Sequence, residues 1–246
     1  MDIQTQTARP SGFVKTGSSA SVTAGTNLAP ALSWFDANRA WVIRLSILAG
    51  AALLVALAAT LYITTQSAKA ESGLSEAMDI YDAPLRQAGQ PVEPGVQSYA
   101  TAAERARAAN PLFAHVADSY GLFKAGANAR YFAGLTAEDM GQTAQAEADL
   151  KKAAGYHQSG LSSLAKLALA SLYRRTGRTS QAVDVYQQLI AKPTLTVPLS
   201  MARLELAETY EATRPEEARR LYALIKDQDK TSAAAQIASQ KLEGKK

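Results

Sequence analysis

The chain has 246 residues, with 26 Lys and Arg against 22 Asp and Glu, no cysteine and two histidines. These counts exclude a disulfide framework, a redox thiol and a cysteine-linked lipid anchor, leave almost no basis for a zinc site, and at a net charge of +4 spread along the chain give no clustered basic patch for nucleic acid. Alanine fills about a fifth of the positions and aromatics 7%, which predicts a mostly helical, all-α protein and disfavours sandwiches and barrels.

Residues 1–33 include 13 Ser, Thr or Gly and show no helical period, so they cannot bury enough apolar area to offset their ordering entropy. We expect 1–40 to be a disordered tail. Leu45 to Thr65 then reads LSILAGAALLVALAATLYITT, and no charge occurs between Arg44 and Lys69. About 20 apolar residues at 1.5 Å per residue cover the roughly 30 Å hydrocarbon core, so 41–66 is expected to cross a bilayer once. Trp34, Phe35 and Trp41 precede the run and Tyr62 closes it, the aromatic placement of a spanning helix. A signal peptide cleaved after Ala68-Lys69-Ala70 is the rival, but the apolar run is too long and 44 residues precede it, which favours an uncleaved anchor.

Arg9, Lys15, Arg39 and Arg44 outweigh Asp2 and Asp36 before the run, whereas Glu71, Glu76, Asp79 and Asp82 outweigh Lys69 after it. Basic flanks stay inside, so the N-terminus is expected in the cytoplasm and the rest, in a bacterium, on the periplasmic side of the inner membrane. Gly50, Ala51, Ala52, Ala56, Ala59 and Thr60 permit close helix approach and leave a homo-oligomer open, though alanine this frequent makes the motif weakly specific.

Residues 67–126 read as a divergent opening unit. Ala70 to Leu85 continues the helix outward, Gln87 to Ser98 is a loop around Pro91, Pro94 and Gly95, and Tyr99 to Ser119 returns as a helix that Pro111 should kink or split. Residues 127–229 then hold three similar segments. The first is Arg130-x-x-Ala133-Gly134-x-x-Ala137-x-x-x-Gly141 with Ala146, Leu150 and Ala153; the second is Lys166-x-x-Leu169-Ala170-x-x-Tyr173-x-x-x-Gly177 with Ala182, Tyr186, Leu189 and Pro193. The third is Arg203-x-x-Leu206-Ala207-x-x-Tyr210 with Ala218, Tyr222 and Ile225, one residue shorter between its halves. From Gly134 to Ala170 to Ala207 the steps are 36 and 37 residues.

These positions resemble the tetratricopeptide repeat, a pair of helices with small residues at their crossing and aromatics between successive units. Gly134, Ala170 and Ala207 would meet Ala146, Ala182 and Ala218, Tyr173 with Tyr186 and Tyr210 with Tyr222 would fill the space between units, and Gly141 and Gly177 would close first helices. The repeat tryptophan is missing, the first segment lacks both aromatics, and the long steps imply insertions near Tyr156 to Ser162 and Pro193 to Pro198. The resemblance covers about 70% of the chain and is strong from Ala127 to Lys226. It implies an α-solenoid whose last apolar face is covered by a capping helix at Thr231 to Leu242, within a basic C-terminal segment 230–246.

No cofactor is implied, and catalysis has no support. His115 and His157 are isolated, and no phosphate-binding loop, nucleophile elbow or H-E-x-x-H pair occurs. In the repeat family the first helices line a partner groove. The matching positions here are Asn128, Tyr131, Leu135, Glu138 and Asp139, then Leu164, Leu167, Arg174 and Arg175, then Met201, Leu204, Glu208 and Glu211. An apolar floor of this kind suits an amphipathic helix or an extended apolar peptide. Two other uses remain open: several of the apolar residues pack against the capping helix or against one another, and Arg174 and Arg175 pair with Glu138, Asp139 or Glu211 across units. A tail, one span and an exported repeat domain resemble in layout the YfgM-like ancillary proteins of the Sec translocon, which implies translocon or periplasmic chaperone subunits as partners. The competing class is an adaptor that scaffolds another cell-envelope complex.

Overall fold

The computed structural model describes residues 29–86, 95 and 97–244. The tail expected over 1–28, the loop at 87–94 and 96, and the two terminal lysines lie outside the described residues. The described residues form helices and turns with no strand, apart from one isolated bridge between Leu85 and Tyr99.

The chain divides into units at 1–57 and 58–246. In the first, α1 (Ala29–Ala37) ends at Asn38, whose side-chain amide donates to the Trp34 carbonyl at 2.9 Å, and α2 (Arg39–Tyr81) begins directly after it. The tail therefore gives way to helix earlier than expected. The reason is composition: the last glycine or threonine before the apolar run lies at Thr26, and 29–40 is rich in alanine, the strongest helix former. The apolar part of α2 has a mean hydropathy of 2.3 with none of it buried, so it is no core helix of this fold.

In the second unit, the end of α2 meets α3 (Ala102–Ser119) and α4 (Lys124–Asp139). Tyr81, Phe113 and Phe132 lie 5.3 to 6.0 Å apart as a trio of rings over Ala77, Ala109, Ala129 and Ala133. Two readings change here. The return helix starts at Ala102 because Thr101 accepts from the Glu104 N–H at 3.0 Å while Glu104 accepts from the Ala100 N–H at 2.8 Å, a reciprocal cap that a start at Tyr99 would forfeit. Nor is it split at Pro111, where its packed face, with Ala109 and Phe113 fully buried, outweighs the one lost backbone bond.

Three helical pairs follow: α4 with α5 (Thr143–Ala154), α6 (Ser159–Arg175) with α7 (Thr179–Ala191), and α8 (Leu199–Tyr210) with α9 (Pro215–Gln228). Gly141 and Gly177 both take φ of +75°, and each turn is closed by an N–H reaching five residues back, Gln142 to Ala137 and Arg178 to Tyr173, both at 2.8 Å. Only glycine takes that backbone without strain. The extra residues expected near Tyr156 to Ser162 largely become helix: α6 starts at Ser159 and has 17 residues against 12 in α8. Those near Pro193 to Pro198 stay a connection, pinned by buried Val197. Finally α10 (Ala233–Glu243), capped by Ser232 accepting from the Ala235 N–H at 3.1 Å, buries Ala234, Ala235 and Ala238 in the same core as α8 and α9.

Candidate interaction surface

The small residues at the pair crossings, Gly134, Ala146, Ala170, Ala182, Ala207 and Ala218, are all buried. At Gly134 the helices come so close that a Cβ would lie 2.8 Å from Leu150 Cγ. Tyr173, Tyr186, Tyr210 and Tyr222 are likewise buried, at 0 to 5% exposure. Their rings fill space while three of the hydroxyls donate to glutamates: Tyr173 to Glu147 at 3.1 Å, Tyr186 to Glu205 at 3.3 Å and Tyr222 to Glu211 at 2.7 Å. Burial, together with those neighbouring carboxylates, raises the Tyr186 and Tyr222 hydroxyls above the ordinary phenol range. Arg178 and Arg214 lie over the Tyr173 and Tyr210 rings at 4.4 and 5.0 Å, a cation–π contact repeated at matching places in successive pairs.

The first helices of the pairs carry a discontinuous apolar row. Tyr131, Leu135, Leu164 and Leu167 are half-buried, packed on the core with one side open, and Met201 is 40% exposed. Leu204 departs from the row. It is 8% exposed and belongs to the core that α8 shares with α9 and α10. Asn128 is half-buried near the start of α4.

The charged positions mostly satisfy one another. Arg175 pairs with Glu138, joining α6 to α4, and Arg174 reaches Glu205 at 3.2 Å and Glu208 at 3.1 Å, joining α6 to α8. Glu211 pairs with Lys241 of α10 at 3.1 Å. Burial pushes the Glu138 and Asp139 carboxyls up, and Arg175 draws both partly back. These pairs tie α6 to α4 and to α8, and the Arg105 guanidinium sits 5.2 Å from the Tyr81 ring. Glu205 and Lys241 are the members that the repeat spacing did not single out. Glu205 lies one residue after Leu204, so it carried a signal of position, whereas Lys241 belongs to α10 and only the final fold brings it in.

Among the described residues no cluster of three His, Cys, Asp or Glu could hold a metal ion, and His115 and His157 are exposed.

Of the three helical pairs, α6 with α7 combines a buried tyrosine on each helix, Tyr173 and Tyr186, with a glycine turn at Gly177. A tetratricopeptide-repeat family model matches residues 164–196. The match begins within α6 and ends just past α7, so it covers the pair that carries the small, aromatic and glycine repeat positions together, the tryptophan excepted. Domains built from this repeat generally mediate protein–protein interaction. No curated protein and no solved structure matches the chain.

Proposed function

We propose that this chain is a membrane-anchored protein-interaction module, with the helical pairs stacked as a tetratricopeptide solenoid and α10 covering its last face. The apolar run of α2 crosses the inner membrane once, with the N-terminus in the cytoplasm and the repeat domain on the periplasmic side. The supporting observation is the half-open set Tyr131, Leu135, Leu164 and Leu167, anchored in the core on one side, on helices whose charged positions are already paired. Such a set takes apolar side chains of a partner helix or extended peptide, while the paired charges disfavour a clamp for a free carboxylate. Combined with the layout shared with the YfgM-like proteins, this points to an ancillary role in protein translocation, with translocon or periplasmic chaperone subunits as partners.

The test is site-specific photocrosslinking from Tyr131 or Leu167 in the full chain, in membranes, followed by mass spectrometry. Translocon or chaperone subunits are the expected adducts. Adducts confined to subunits of a different envelope complex would establish the adaptor reading in place of the translocation reading, and adducts with neither would remove the groove from consideration.

A further inference from the structure

A second surface lies at the turn joining α3 to α4. Residues Tyr120 to Phe123 form one wall of a cavity whose opposite wall is Tyr62, Ile63 and Gln66 of α2. Those residues stand at the end of the apolar run, where Tyr62 is its closing aromatic. The turn is therefore level with the place where α2 leaves its apolar stretch. At its tip Leu122 is 101% exposed, touching nothing in the fold.

The turn is also held firmly. Phe123 donates its N–H to the Tyr120 carbonyl at 2.9 Å, and at Gly126 any Cβ would overlap that same carbonyl, so α4 begins pressed against the turn. Leu122 is thus pointed outward by rigid backbone. Tyr120, Phe123 and Tyr156 lie half-buried along the same cavity, and the exposed Lys124 follows two residues on. A lone exposed leucine is ordinary. A leucine held out among aromatics and beside a lysine, level with the end of an apolar helix, has the composition of a headgroup boundary: apolar tip into the acyl region, aromatic rings at the interface, an ammonium group toward phosphate.

We infer that the α3–α4 turn is a second membrane contact, which inserts Leu122 into the lipid surface beside α2 and holds the repeat domain against the bilayer. This rests on the reading of α2 as a membrane anchor. It fixes which edge of the domain faces lipid, the edge carrying the turns between successive pairs, and so leaves the row on the first helices accessible to partners from the side.

The chain has no cysteine, so single cysteines can be placed without background. Leu54→Cys in the apolar run, Leu122→Cys, and Thr213→Cys in the α8–α9 turn as the aqueous baseline would each carry an environment-sensitive fluorophore. The full chain is reconstituted in vesicles of phosphatidylethanolamine and phosphatidylglycerol containing nitroxide-labelled lipid. Strong quenching at both 54 and 122, with a blue shift at 122 relative to 213, is the expected result. Quenching at 54 with 122 at the baseline of 213 overturns the second contact and leaves the anchor intact. A baseline signal at 54 overturns both. Position 122 is fully exposed, so the substitution leaves the fold intact, and an unchanged helical circular dichroism spectrum checks that.

Discussion

The first helical pair, α4 with α5, and the second, α6 with α7, reach the same arrangement by different chemistry. In the second pair Ala170 sits at the crossing and Tyr173 and Tyr186 fill the surrounding space, each with its hydroxyl on a glutamate. In the first pair the corresponding aromatic positions are Ala137 and Leu150, and the missing volume is recovered by closer approach: Gly134 lets Leu150 in where any Cβ would collide. The first pair also carries a buried ion pair that the second lacks. Arg130, 7% exposed, donates to Asp149, 2% exposed, at 3.0 Å, to Asp118 of α3, and Gln145 donates to the second Asp149 oxygen at 2.7 Å. Small residues with a polar tie can thus replace aromatic filling, and the family model matches the pair that kept the aromatics.

The comparison is broken most severely at the ion pair. Arg130→Ala strands Asp149 in the core with Gln145 as its remaining side-chain partner, and removing one member of a buried pair costs about 3–5 kcal/mol. Urea unfolding of the full chain in detergent measures it. The pair contributes little to stability beyond solvating itself, so replacing Arg130 and Asp149 together by apolar residues should recover most of the loss.

The glycine contact comes next. Gly134→Ala overpacks against Leu150 and should cost about 1–3 kcal/mol, even though alanine is the better helix former. Ala170→Gly in the second pair should lose about 1 kcal/mol, for the opposite reason of helix propensity and a small void. If the two pairs were equivalent both substitutions would be mild; a double change of Gly134→Ala with Leu150→Val that restores stability would locate the conflict at that contact.

Smaller still is the tyrosine hydroxyl. Tyr186→Phe removes the bond to Glu205, leaves the ring in place and should cost about 1 kcal/mol in the same assay.

The acid limb sharpens the contrast at the boundary between the pairs. Glu147 of α5 accepts from Lys151 at 2.6 Å, Arg178 at 2.5 Å and Tyr173 at 3.1 Å, and these partners, Lys151 first, hold its carboxyl at about 2, below the ordinary value of 4.5. The folded value lies below the unfolded one, so the contribution is complete above about pH 4.5 and is lost as the pH falls toward about 2. Glu147→Gln should flatten the decline in stability over that window, measured by thermal unfolding against pH. Least affected is the exposed pair: Arg175→Ala, with a side chain 59% exposed, should change stability by no more than about 1 kcal/mol.

Much of this was legible in the residues alone. The positions of Gly134, Ala170 and Ala207, the turn glycines Gly141 and Gly177, and the buried tyrosines all follow from helical period and side-chain size, which act within a few residues of each position. The same alanine means two things along the chain. In α2 it belongs to an apolar run with nothing buried, and in the pairs it marks the crossings, a distinction that the spacing already drew.

Other features needed the tertiary structure. Leu204 looks like Tyr131 or Leu135 by repeat position, yet it joins the core shared with α9 and α10, and Glu211 finds Lys241 thirty residues on. Leu122 is an unremarkable loop leucine until the turn that carries it is found level with Tyr62. The sequence by itself determined the helices, their small crossing residues and their turns, because those depend on local propensity and spacing. Which charges meet, which leucine is covered and which turn stands at the end of the apolar run depend on contacts between residues far apart in the chain, and only the assembled helices decide them.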